Sequence, residues 1–144
     1  MAEVFRAAID GGSRGNPGPA AWGVAVLDET GACIEEHGDP IGRATNNVAE
    51  YQALLEALDL AARRGATRVE IRSDSELLVR QIQGRYRVRH PALQPLHAEA
   101  AQRIRALEAF RIVHVRRAEN RDADRLVNQA LDRAAAGSEE TAAS

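Results

Sequence analysis

The chain alternates between short apolar runs and longer stretches in which apolar residues recur every three or four positions, the signatures of strands and of amphipathic helices. Residues 4–9 form the first apolar run. They predict a strand that stops at Asp10, where Gly11-Gly12 and then Asn16-Pro17-Gly18-Pro19 follow. Residues 20–27 (AAWGVAVL) and 32–39 predict a second and a third strand, joined as a hairpin across Asp28-Glu29-Thr30-Gly31. From Thr45-Asn46-Asn47 the period changes. Tyr51, Leu54, Leu55, Leu58 and Ala62 fall on one helical face, and Gly65 ends that helix.

Residues 69–72 predict a fourth strand, closed by Ser73-Asp74-Ser75. Residues 76–83 predict a short helix with Leu78, Val79 and Ile82 on one side, and residues 85–90 carry no period. Pro91 opens a longer helix marked by Leu93, Leu96, Ala100, Ile104 and Leu107. Residues 110–115 predict a last strand. Asn120 or Asp122 caps a final helix whose apolar side holds Ala123, Leu126, Val127, Ala130 and Leu131. Residues 137–144 are small and polar, expected as a disordered tail or a truncated linker behind one domain at 1–136. The order β-β-β-α-β-α-α-β-α joins an antiparallel start to parallel crossovers. It predicts an α/β fold with a mixed sheet covered by helices.

Composition narrows this picture. With 144 residues and 44% apolar content there is material for one real core, but aromatic residues are only 3%, so Leu, Val, Ile and Ala must fill it. Trp22 is expected to pack against a neighbouring element. No apolar run reaches membrane-spanning length, and the N-terminal residues show no signal-peptide pattern. Cys33 is the single cysteine, and no Cys/His cluster has zinc spacing. The expectation is a cytoplasmic monomer with no membrane partner and no structural zinc. A net charge of −2 argues against holding nucleic acid by bulk charge alone. The distribution says more: residues 77–98 contain no acid and carry Arg80, Arg85, Arg87, Arg89, His90 and His97. All 19 basic residues are arginine, the side chain best suited to bidentate phosphate contacts, although an Ala-rich chain from a biased genome also lacks lysine.

Four carboxylates stand at ends of elements: Asp10 after strand 1, Glu50 in the first turn of helix 1, Asp74 after strand 4 and Asp124 in the first turn of the last helix. Each has a structural explanation. Asn47-x-x-Glu50 and Ser73-x-x-Glu76 fit capping boxes, Asp74 and Asp124 suit a helix N-terminus, and Asp-Gly is a turn dipeptide. Parallel α/β topology, however, draws strand C-termini and helix N-termini to one edge. Acids gathered there repel one another unless a cation intervenes, and hard oxygen ligands suit Mg²⁺ or Mn²⁺. Two such ions about 4 Å apart activate water and stabilise the leaving oxygen of a phosphodiester.

As an ordered set these motifs resemble type 1 ribonuclease H. The matching pieces are Asp10-Gly11-Gly12 with Asn16-Pro17-Gly18-Pro19, Thr45-Asn46-Asn47 with Ala49-Glu50-Tyr51, Ser73-Asp74-Ser75, and Asn120 with Ala123-Asp124, spanning residues 4–135. The resemblance implies a ribonuclease H-like fold: a five-stranded mixed sheet in the order 3-2-1-4-5, flanked by helices. It implies an endonuclease that cuts the RNA strand of RNA/DNA hybrids, leaving 5′-phosphate and 3′-hydroxyl ends. Asp10, Glu50, Asp74 and Asp124 would be the catalytic acids and the ligands of two Mg²⁺ ions, with Mn²⁺ as the alternative. Gly11, Gly12, Ser13, Asn16, Asn46 and Asn47 would sense the RNA 2′-hydroxyl, and Thr45 would meet a phosphate of the DNA strand. Arg85, Arg87 and Arg89 would replace part of the basic protrusion of some members. The loop before the last helix lacks the histidine that some members carry. His114, Arg117 and Glu119 are the candidates for its role. Some members without that histidine also cleave double-stranded RNA, which leaves it open as a second substrate.

Overall fold

A computed structural model of the chain describes residues 3–143, with side chains through Gly137. Five strands, β1 (Val4–Ser13), β2 (Gly18–Leu27), β3 (Cys33–Ala44), β4 (Arg68–Ser73) and β5 (Ala109–His114), form one sheet in the order β3-β2-β1-β4-β5. β1 pairs antiparallel with β2 and parallel with β4. β2 pairs antiparallel with β3, and β4 parallel with β5. The helices are α1 (Asn46–Arg63), α2 (Glu76–Ile82), α3 (Gln94–Arg105) and α4 (Arg121–Ala143).

Side-chain alternation along β1 splits the core between the two faces of the sheet. Phe5, Ala7 and Ile9 join Trp22, Val24 and Ile71 beneath Tyr51, Leu54 and Leu58 of α1. Ala8 faces the other way and packs with Ala25, Ala123 and Leu126, while Ala21 meets Val127 and Ala130 of α4. Ile9, Leu54 and Ile71 are fully buried, each worth about 1.5–3 kcal/mol over an exposed position. Small residues on the α4 side let that helix lie close. The closest approaches are at glycines. A Cβ on Gly11 would stand 2.2 Å from the Ala49 backbone, and one on Gly23 would stand 2.6 Å from the Ala123 carbonyl oxygen. Gly23 is the cross-strand partner of Asp10. The first turns of α1 and α4 are therefore seated on either side of the same stretch of β1.

Several boundaries differ from the sequence-based expectation. β1 does not stop at Asp10 but continues through Gly11 and Gly12 to Ser13, because β2 remains as a partner (Gly12 opposite Ala21, Ser13 opposite Ala20). β4 gives out earlier, at Ser73 opposite Ile9. Asp10 thus sits where β1 outlasts its parallel neighbour. β3 runs on past Asp39 to Ala44, through Pro40 and Gly42, which an edge strand tolerates. α3 begins at Gln94, not Pro91; residues 91–93 form a turn, and Pro95 occupies the first helical turn. α4 reaches Ala143, so the backbone of residues 137–143, expected as part of a tail, is helical; the side chains of residues 138–143 and the whole of Ser144 lie outside the described residues. Among the described residues no helix is long and apolar enough to cross a membrane.

Candidate active site

Two caps release two carboxylates. α1 is capped by Thr45, whose Oγ1 accepts from the Val48 N–H at 3.2 Å, so the Asn47–Glu50 capping box does not form. Because Thr45 is the cap, Glu50 falls just past the first turn of α1, not within it as expected, and turns to β1, where one carboxylate oxygen accepts from the Gly11 N–H and the other is buried with no N–H donor. Likewise Ser75, not Ser73, caps α2 by accepting from the Leu78 N–H at 3.2 Å, while Ser73 Oγ accepts from the Ser75 N–H at 3.0 Å. With both serines engaged by the backbone, Asp74 is not needed as a cap.

Asp10, Glu50 and Asp74 come together: each offers an oxygen within 4.8 Å of the others. Asp124 lies in the first turn of α4, half-buried and outside that group, but its charge is among those acting on Asp10. Asp10 is 8% exposed and Glu50 7%. Burial, then the charge of Glu50 and a shared hydrogen bond with it, then Asp74 and Asp124, push the Asp10 carboxyl up to about 10. Burial raises Glu50 to about 7, opposed by its hydrogen bonds to Asp10 and to the Gly11 N–H. Buried side by side, the two carboxyls disfavour carrying two negative charges together. Among the described residues no arginine or histidine forms an ion pair with any of the four. A buried carboxylate oxygen that no N–H reaches and a set of hard, uncompensated carboxylates fit a divalent cation.

Beside the acids lies a polar platform. Asn46 Oδ1 accepts from both the Ser13 N–H (2.8 Å) and the Ser13 hydroxyl (3.0 Å), and Asn16 Oδ1 accepts from the Asn46 N–H at 3.1 Å. The amide oxygens are used to hold the platform together, which leaves the NH₂ ends of Asn16 and Asn46 to face outward as donors. Asn47 is exposed next to them. Gly11 is a spacer here: its N–H belongs to Glu50 and its missing Cβ admits α1. Gly12 lies in the β1–β2 ladder, where an added Cβ would stand 4.0 Å from Asn46 Oδ1.

Arg85, Arg87 and Arg89 are exposed on the segment between α2 and α3. Two buried side chains anchor that segment. Tyr51 donates to Gln81 Oε1 at 2.6 Å, and Gln81 Nε2 donates to the Arg87 carbonyl at 3.4 Å. His97 closes the network against the Gln81 carbonyl at 3.3 Å and the Tyr51 ring. His114 ends β5 opposite Ser73; alternation puts it on the face of Ile112 and away from that of Ala8. Arg117 and Glu119 lie exposed in a single 3-10 turn. Sequence reasoning missed Gln81 altogether and read Asn120 or Asp122 as the cap of α4; Asn120 holds that position, its carbonyl accepting from the Asp124 N–H, but its side chain does not cap. The structure gives Asn120 a different partner, Ile9. Gln81 had a faint signal, a polar residue beside the apolar stripe of α2.

Comparison with known proteins agrees with this geometry. Residues 8–130 match the family described as reverse transcriptase-like. The chain is 45% identical over 124 residues to a ribonuclease HI of Halobacterium salinarum, covering 86% of this chain and 62% of that protein. It is 46% identical over 127 residues to the bifunctional protein Rv2228c of Mycobacterium tuberculosis, covering 88% of this chain and 35% of the relative. The chain thus spans less than two thirds of either relative's length. The crystal structure of the H. salinarum RNase H1 superposes with a TM-score of 0.86 at 44% identity, over 90% of this chain and 98% of that one. LC11-RNase H1, solved in complex with an RNA/DNA hybrid, gives 0.85 at 44% identity over the same shares. With its sheet order, its acidic cluster and these relatives in agreement, the chain belongs to the type 1 ribonuclease H family.

Proposed function

We propose that this chain is a divalent-metal-dependent endoribonuclease that hydrolyses the RNA strand of RNA/DNA hybrids. The observation that carries the proposal is the convergence of Asp10, Glu50 and Asp74, from three separate elements, at one edge of the sheet without a compensating cation. The hybrid-bound LC11 relative supports the substrate class. Asp10, Glu50, Asp74 and Asp124 are assigned as ligands of two Mg²⁺ ions, with Mn²⁺ able to replace them. Bound there, such ions supply Lewis-acid stabilisation of the phosphate and a more acidic water. Hydrolysis adds one water across the scissile bond: its oxygen bonds to phosphorus, the P–O3′ bond breaks, and O3′ takes a proton, giving a 3′-hydroxyl and a 5′-phosphate.

Strand choice falls to the platform. A 2′-hydroxyl both donates and accepts, so a reader needs both kinds of partner. The uncommitted NH₂ groups of Asn16 and Asn46 supply donors, and the carboxylate of Glu50 supplies an acceptor on the same side. Thr45 uses only an acceptor lone pair in its cap, so its O–H is available to a DNA-strand phosphate. Arg85, Arg87 and Arg89 are assigned to phosphates farther along the hybrid.

The test is cleavage of labelled RNA/DNA, RNA/RNA and DNA/DNA duplexes in Mg²⁺ and in Mn²⁺. The expected result is cuts in the RNA of the hybrid only, with 5′-phosphate ends. Cutting of RNA/RNA as well would widen the substrate class; cutting of DNA/DNA, or of nothing in either metal, would overturn the reading.

A further inference from the structure

Asp124 stands apart from the other acids, and its place depends on how the first turn of α4 is docked. We infer that Asn120 is the positioning residue that docks it, joining Asp124 to Asp10; this rests on the reading of both as metal ligands. Asn120 precedes α4 and is 1% exposed. Its Nδ2 donates to the Ile9 carbonyl at 2.9 Å, across 111 residues of chain. That carbonyl belongs to the peptide entering Asp10. The main-chain carbonyl of Asn120 accepts from the Asp124 N–H at 3.1 Å. One residue therefore spans the peptide before Asp10 and the peptide before Asp124.

The unused oxygen distinguishes this role from capping. A capping asparagine turns Oδ1 onto a helix N–H. Here Oδ1 is buried and has no protein partner, while the nitrogen is engaged by β1. An apolar side chain of similar size would remove the unpaired acceptor but take this donor from the Ile9 carbonyl, a cost of about 1–3 kcal/mol at most. Beyond that modest stability, the directed bond fixes where α4 is docked. It acts where the β1–β4 register ends, at Ile9.

The test is a double-mutant cycle of Asn120→Leu and Asp124→Asn, followed by hybrid cleavage, by calorimetric Mn²⁺ titration of the free protein and by thermal melting. Asn120→Leu should lower kcat about 10- to 100-fold, as misplacement of a reacting group by a fraction of an ångström does, with KM unchanged. Mn²⁺ affinity should fall, and the melting temperature should drop by no more than about 10 °C, with the transition still cooperative. In the Asp124→Asn background the same substitution should add less than about a twofold further loss, because both act through one carboxylate. Full kcat, unchanged Mn²⁺ affinity, or losses that multiply across the cycle would overturn the inference. If Asn120→Leu does not melt cooperatively, Asn120→Ala takes its place with the same expectations. A wild-type protein inactive on hybrid would sink the proposed function, and the calorimetric cycle would still decide this one.

Discussion

At Asp10 two demands conflict. Folding would prefer a neutral or apolar residue in a buried position beside Glu50, and metal binding requires a carboxylate. Burial and the neighbouring acids hold Asp10 up to about 10 and Glu50 up to about 7, against ordinary values near 4. Between pH 4 and 7 the folded chain keeps protons that the unfolded chain has released. Stability without divalent cations therefore declines as pH rises through that window and beyond it. Urea unfolding with a chelator should give a higher midpoint at pH 5 than at pH 8, and saturating Mg²⁺ should shrink the difference. Asp10→Asn should flatten the profile and stabilise the metal-free protein at pH 8 by about 1–2 kcal/mol. The same substitution should cut hybrid cleavage at least about 1000-fold, the loss of several kcal/mol of charge stabilisation. An unaltered pH profile in Asp10→Asn would show that the burial and repulsion described for this residue are not felt. The gathering of Asp10, Glu50 and Asp74 was legible in the sequence, because carboxylates beside Gly, Asn and Ser at element ends are a chemical pattern. The relation of Asp124 to the rest was not, because it depends on a buried amide 111 residues from its partner.

At the scale of elements, the site is built by how closely two helices approach β1. Gly11 admits the first turn of α1 and Gly23 admits that of α4, on opposite faces of the sheet. The order of elements and most helical faces followed from hydrophobic period alone. What did not follow was which element would pair with which for how long. β1 was expected to end at Asp10 because glycines weaken a strand, yet the antiparallel ladder with β2 carries it three residues further. Local pattern contains the propensity of β1 but not the length of its neighbours. Similarly, Thr45 and Ser75 compete with Asn47 and Ser73 for the same caps, and the winners were decided by where the chain enters each helix. Gly23→Ala tests the docking. Its Cβ would lie 2.6 Å from the Ala123 carbonyl oxygen and 2.9 Å from Leu126 Cβ, so α4 must lift. The expected cost is about 1–3 kcal/mol of unfolding free energy, with kcat reduced more than tenfold at temperatures where the variant is folded. A variant that loses stability but keeps full kcat would mean that the seat of α4 does not govern the chemistry.

For the molecule as a whole, a net charge of −2 conceals a separation of charge. The acids of the site have no cationic partner, and Arg85, Arg87, Arg89, Arg116, Arg117 and Arg121 have no carboxylate partner among the described residues. Most other arginines are engaged within the fold, as in the pairs Arg6–Glu70, Arg68–Glu108 and Arg80–Glu76. An exposed arginine left unpaired keeps its five donors for an external anion. The first three project from a segment pinned by Tyr51 and Gln81, and Tyr51 follows directly on Glu50. Binding energy gathered at the arginines is thus mechanically close to the carboxylates. Replacing Arg85, Arg87 and Arg89 by alanine should leave kcat at saturating hybrid nearly unchanged and weaken affinity. It should also reduce the slope of log affinity against log salt by roughly 0.7–0.9 for each phosphate that is no longer neutralised. Gln81→Leu should reproduce part of the affinity loss while keeping the wild-type salt slope, since it frees the segment without removing charge. Fluorescence anisotropy with labelled hybrid in Ca²⁺, across a salt series, separates the two. Equal slopes in the triple variant and the wild type would remove these arginines from the binding face and leave the acidic edge to hold its substrate through metal ions and the asparagine platform alone.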